Sequence, residues 1–178
     1  PRNGASPQRF SMRFLVDLHA VHRDSDLVTL GDRLLSTVVD NNVELLGRYP
    51  QVPPLYKSGV VYRAEPWAVG AQRYEGGLEQ FCHLLTILDR GWGDCAQLCA
   101  WRVAELRAGG WRTPDAPGGE QAQLRYYIRA SCPQCRAQHC SNLSHPQRRR
   151  SFHVEVRRAP SALHPEGLIE DPSRLLSY

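Results

Sequence analysis

The apolar residues near the start of the chain change their spacing once. Phe14, Val16 and Leu18 alternate with polar or smaller neighbours, the period-two pattern of a short strand. Over residues 26–48, Leu27, Leu30, Leu34, Val38, Leu45 and Leu46 recur at near-helical spacing, which predicts a first helix capped by Asp24 or Ser25. Pro50, Pro53 and Pro54 end it, because proline removes a backbone donor and restricts the residue before it. An extended segment over residues 60–63 runs up to Pro66. Leu78, Phe81, Leu85 and Leu88 then fall three or four apart and predict a second helix over residues 77–89. A third helix opens at Cys95, after the glycine-bracketed turn RGWGD, and stops at Gly109-Gly110. Beyond the loop TPDAPGGE, "AQLRYYIRA" and "SFHVEVRRA" read as two strands, and "GLIEDPSRLL" as a short closing segment.

A chain of 178 residues is enough for one domain, 1–178, that buries its core without disulfide staples. The net charge of +4 is mild and its arginines are scattered, with Lys57 the sole lysine, so a nucleic-acid partner is permitted but not implied. No apolar run reaches the length of a membrane span, and PRNGASPQRF is polar where a signal peptide needs an apolar stretch. The expectation is therefore a reducing compartment, in which the six cysteines serve as thiols, metal ligands or a catalytic group.

Among them Cys95 stands out. It falls in the first turn of its helix, where unsatisfied N–H groups favour a thiolate. Gly91 and Gly93 allow a sharp bend and leave room for a substrate carbonyl, Asp94 is placed to cap, and the Trp92 indole is a candidate oxyanion donor or pocket wall. A nucleophilic thiol also needs an imidazole steadied by a carboxylate, and His153, in "FHVEV", followed by Asp171 supplies both in chain order. Each piece alone has a plainer reading. A buried cysteine packs as a small hydrophobe, which is the reading adopted for Cys99, and aspartate before proline opens many turns. Strand alternation also sets His153, Glu155 and Arg157 on the face opposite Phe152, Val154 and Val156, so the triad requires the more polar face to meet the Cys95 helix.

The ordered set "GDCAQLCAWRVAELRAGG", "HVEV" and "EDPSRLL", with "LYKSGVVYRAEPW" upstream, resembles the transglutaminase-like (papain-type) cysteine-enzyme superfamily, in particular small members encoded by tailed phages and prophages. That resemblance implies an α+β fold in which a cysteine-bearing helix packs on an antiparallel sheet, with Cys95 as nucleophile, His153 as general base and Asp171 as orienter. The function it implies is hydrolysis or acyl transfer at amide or peptide carbonyls, as in a cysteine peptidase, an amidase or a protein-glutamine acyltransferase, with no cofactor for catalysis. It equally implies a virion structural or assembly role in which the fold is only a scaffold. The partners are then a protein or peptide substrate, or other phage structural proteins, in the bacterial host cytoplasm or the assembled virion, with no membrane.

Between the two strands lies a polar insert over residues 131–150, in which Cys132, Cys135, Cys140 and His145 are spaced C-x2-C-x4-C-x4-H. Thiolate and imidazole suit tetrahedral zinc, and a segment so polar has little else to order it, so a structural, zinc-knuckle-like hairpin is expected, with His139 competing as fourth ligand. Arg148, Arg149 and Arg150 follow directly. A solvated basic loop is favoured over a phosphate contact there, since no aromatic is interleaved for base stacking.

Overall fold

The computed structural model describes residues 14–17, 24–64, 78–131, 149–160 and 164–177. They form a mixed α/β arrangement of helices with a small antiparallel sheet. Strand β1 (Phe14–Asp17) precedes the long helix α1 (Asp24–Arg48), which begins within two residues of its expected start. A short 3-10 turn over Leu55–Lys57 leads into β2 (Val61–Tyr62), the extended segment foreseen there.

The second helix is shorter than its apolar spacing predicts. Leu78–Phe81 is a strand, β3, paired antiparallel with β1 from Phe14↔Phe81 to Asp17↔Leu78, and only Leu84–Arg90 is helical, as α2. Spacings of three and four over four residues are a weak signal, and a partner strand some sixty residues away in sequence overrides it. The start of α2 is fixed from outside itself: the Leu84 N–H donates to Oδ1 of the buried Asn42 on α1 at 2.8 Å. Gly91 ends α2 in the left-handed region, φ 76°, which L side chains rarely adopt.

The turn continues through β4 (Trp92–Gly93), parallel to β2, into α3 (Cys95–Ala108). Its twelve positions from Cys95 to Leu106 are all buried, so α3 is the central helix and not an amphipathic one on the surface. Leu98, Trp101, Val103 and Leu106 on it are 0% exposed and pack with Leu35, Val39 and Leu46 of α1. Trp101 lies in this core, whereas Trp111 is exposed with the Arg112 guanidinium 5.0 Å from its ring centroid.

The three-stranded sheet has the order β5-β6-β7, with β5 at Gln123–Ser131, β6 at Arg149–Arg158 and β7 at Leu168–Glu170. In β6, Val154 and Val156 are fully buried in the core, while His153 and Glu155 are half-buried and Arg157 is exposed, the alternation the sequence predicts. The β5–β6 register runs from Gln123↔Arg157 to Ser131↔Arg149. Arg149 and Arg150 are therefore strand residues at the start of β6 and not part of a loop, as had been expected; Arg148 lies outside the described residues. Finally α4 (Pro172–Leu175) packs on α3.

Candidate active site

Cys95 is the first residue of α3 and is 8% exposed. The turn before it is held tightly. Asp94 caps the helix by a reciprocal box: its Oδ1 accepts the Gln97 N–H at 2.9 Å, and Gln97 Oε1 accepts the Asp94 N–H at 3.2 Å. Arg90 donates from Nε to the Trp92 carbonyl at 2.6 Å, bonds Gln97 Oε1, and lies 3.7 Å from the centroid of the Trp92 ring. Trp92, half-buried, also has Arg63 5.5 Å from its ring centroid. A Cβ on Gly93 would come within 2.9 Å of the Leu98 side chain, which is why nothing larger fits between this turn and the helix it feeds.

His153 and Asp171 are brought together. His153 sits midway along β6, Asp171 is the N-cap of α4, and the imidazole Nε2 is 3.1 Å from Asp171 Oδ2. A carboxylate only accepts, so this contact makes Nε2 the protonated nitrogen and leaves Nδ1 basic. The other carboxylate oxygen of Asp171 takes the N–H of Ser173 at 3.1 Å, the N–H of Arg174 at 3.3 Å and the Ser173 hydroxyl. Burial alone would raise the pKa of Asp171. The hydrogen bonds from Ser173 and His153 outweigh it and hold the carboxyl below its ordinary value, so it is a fixed anion at neutral pH.

The sequence left open how a helix could meet the more polar face of β6. Pairing of β7 with β6 ends at Val156↔Glu170, and two residues further along β6 the Val154 carbonyl accepts the Cys99 thiol at 3.1 Å. The helix thus takes up the edge of β6 that β7 leaves. Cys99, fully buried, is the structural thiol expected. Burial pushes its pKa well above the usual thiol range, and the charges of Cys95, Asp171, Asp94 and Glu155 around it push the same way. Cys82, Cys95 and Cys99 are all free of disulfides.

Two neighbours of the dyad were given no role by the sequence reading. Ser173 is hidden in a generic Asp-Pro-Ser turn. Glu155 shares the face of His153 by simple alternation, and His153, Glu155 and Asp171 offer ligand atoms all within 4.8 Å of one another, a group that could hold a metal ion. One Glu155 oxygen, Oε2, is buried with no hydrogen-bond partner. The zinc ligands expected in the insert, Cys132, Cys135, Cys140 and His145 with His139 competing, lie outside the described residues.

Beneath the site runs a buried ionic network. Glu105 on α3 accepts the Leu55 N–H at 2.6 Å and faces Arg102 Nη1 at 3.4 Å. Burial nonetheless pushes its carboxyl up to about 7, because desolvation outweighs both the Leu55 N–H and the Arg102 charge. A raised carboxyl makes the folded state bind a proton that the unfolded chain has already lost, so its contribution falls as pH rises from 4.5 to about 7. That loss is on the order of 3 kcal/mol for a fully buried group. Asp171 and Glu170, held below their ordinary values, contribute in the opposite sense and lose stability as pH falls below about 4. Urea melts should therefore give maximal stability near pH ~5, declining on both sides; a flat profile between pH 5 and 7 in Glu105→Gln but not in the wild type would assign the upper limb.

No helix among the described residues is long and apolar enough to cross a membrane. No protein-family model matches the chain, and no match is found among curated proteins or solved structures.

Proposed function

We propose that the chain is a transglutaminase-like, papain-type thiol enzyme acting on amide or peptide carbonyls through Cys95, His153 and Asp171. The observation that carries this reading is the 3.1 Å contact between His153 Nε2 and Asp171 Oδ2, which joins two of the three residues in the roles the sequence order implies. In the mechanism, the Cys95 thiolate attacks the carbonyl carbon and backbone N–H groups at the start of α3 receive the developing oxyanion, with Trp92 lining the approach. His153, holding the thiol proton on Nδ1, delivers it to the departing amine as the carbon–nitrogen bond breaks. The remaining thioester is opened by water, giving the acid, or by an amine, giving a new amide. Asp171 keeps the imidazole in one tautomer throughout.

The test is covalent trapping. A thiol-directed electrophilic probe, followed by peptide mapping, is expected to modify Cys95 in the wild type and to leave Cys95→Ala unmodified. Labelling that is absent, or indifferent to Cys95→Ala, would remove the enzyme from consideration.

A second reading is favoured by one observation. Cys95 is only 8% exposed, which suits a fold kept as a scaffold in a virion structural or assembly component. Recovery of the chain at fixed stoichiometry in purified particles, from cells in which no thiol probe labels it, would support that role. The proposed site of action is accordingly the host cytoplasm or the particle, with a protein or peptide as partner.

For the insert over residues 131–150, we propose a structural zinc on Cys132, Cys135, Cys140 and His145, with His139 as the competing fourth ligand. Metal analysis is expected to find one zinc per chain, lost in Cys132→Ser; metal-free protein with unchanged folding would rule this out. Contact with nucleic acid through the adjacent arginines is the less favoured reading. Salt-sensitive binding would be its signature.

A further inference from the structure

Along α3, Cys95, Cys99 and Arg102 are separated by four and three residues and so form one stripe on one face of the helix. Each of the latter two holds a residue adjacent to the dyad. Cys99 bonds the carbonyl of Val154, next to His153. Arg102 grips Glu170, next to Asp171, through Nε to Oε2 at 2.8 Å and Nη2 to Oε1 at 3.2 Å. The pair is desolvated, with side-chain exposures of 7% and 10%.

Glu170 is the last residue of β7 and the last to pair with β6. Its carboxylate also accepts Arg158 Nη1 at 2.9 Å and the Tyr56 hydroxyl at 3.0 Å, so four donors converge on two oxygens. Tyr56 stays a donor, because burial and then Glu170 push its phenol above the ordinary range. Arg158 is itself held by both oxygens of Glu120 at 2.8 Å. The guanidinium fork of Arg102 fixes direction as well as distance, which a single ammonium contact does not.

We infer that Arg102 and Glu170 are positioning residues, which set the Cys95 helix against the strand end that presents Asp171 to His153. Neither touches the reacting atoms. This inference rests on the thiol-enzyme reading above and adds to it a device that keeps nucleophile and dyad in register. A one-ångström slip between α3 and β7 would leave each side chain intact while moving the imidazole away from the sulfur, the kind of displacement that costs rate without unfolding the chain.

The experiment compares the pH dependence of Cys95 alkylation by iodoacetamide in full-length wild type, Glu170→Gln and Arg102→Lys, with circular dichroism melts for each. Wild type is expected to react well below the pH at which a free thiol ionises. Glu170→Gln, isosteric but uncharged, should remain folded yet lose at least roughly tenfold in rate at pH ~6, its profile moving towards that of an unassisted cysteine. Arg102→Lys keeps the charge and the buried stem but not the fork, and should fall between the two. Folded variants with the wild-type pH profile would overturn the positioning role while leaving the enzyme intact. A wild type that already behaves as a free thiol would instead defeat the underlying reading, so the two failures are distinguishable. Should Glu170→Gln not fold, Arg102→Lys decides by the same criterion.

Discussion

His153→Ala is expected to slow acylation of Cys95 by roughly a hundredfold to ten-thousandfold, the range that a positioned general base supplies. The imidazole is half-buried in a central strand, flanked on one side by β5 through Tyr127 and held by Asp171 at 3.1 Å, so it has little freedom to be replaced by solvent. Asp171→Asn refines the prediction. Asparagine still caps a helix well, so α4, whose Ser173 and Arg174 N–H groups lean on this side chain, should survive. What asparagine cannot do is act solely as an acceptor. Its amide can donate to Nε2, leave that nitrogen basic and put the proton on Nδ1, the wrong side for a thiol. The expected outcome is a melting curve close to wild type with acylation reduced by two or more orders of magnitude. Stopped-flow acylation with a chromogenic ester probe, alongside thermal melts, separates the two effects. Equal acylation rates in wild type and His153→Ala would remove the imidazole from the mechanism.

The largest expected effect on stability is at Trp101. It is 0% exposed on a helix that is buried along nearly its whole length, packed in the same core as Leu35, Leu84, Ile87 and Val154. Trp101→Ala deletes the largest of these side chains and leaves a cavity that neighbours on several elements cannot fill together. A loss of about 3–5 kcal/mol is expected, or a melting temperature lower by on the order of 10 °C. Trp101→Phe, which retains most of the apolar volume, should cost clearly less. Urea denaturation of the three proteins checks this; a Trp101→Ala protein as stable as wild type would mean that α3 is not the centre of the core.

Much of this arrangement was legible in the chain because its signals are local. The Leu27-to-Leu46 spacing placed α1, the Gly-Trp-Gly-Asp turn placed the start of α3, and Asp94 does cap it. Strand alternation foretold which residues of β6 are buried, and chain order paired His153 with Asp171. What was hidden depends on long-range partners. Leu78–Phe81 looked helical because its strand partner, β1, is far away in sequence. Nothing local shows that Arg102 and Glu105 are buried, and the carboxylate that grips the arginine most closely, Glu170, lies 68 residues on from it. The same distance concealed the way α3 reaches the dyad. No pattern in "HVEV" announces that its first valine offers its carbonyl to a cysteine on the helix.

The proposed function requires the surroundings of Cys95 to favour its thiolate, which can be measured without knowing any substrate. Thiolate ultraviolet absorbance, titrated in wild type and taken as a difference against Cys95→Ala, reports this one group. The expected midpoint lies below about 7 and moves up in His153→Ala. A midpoint at or above the free-thiol value of about 8.5, the same with and without the histidine, would contradict it.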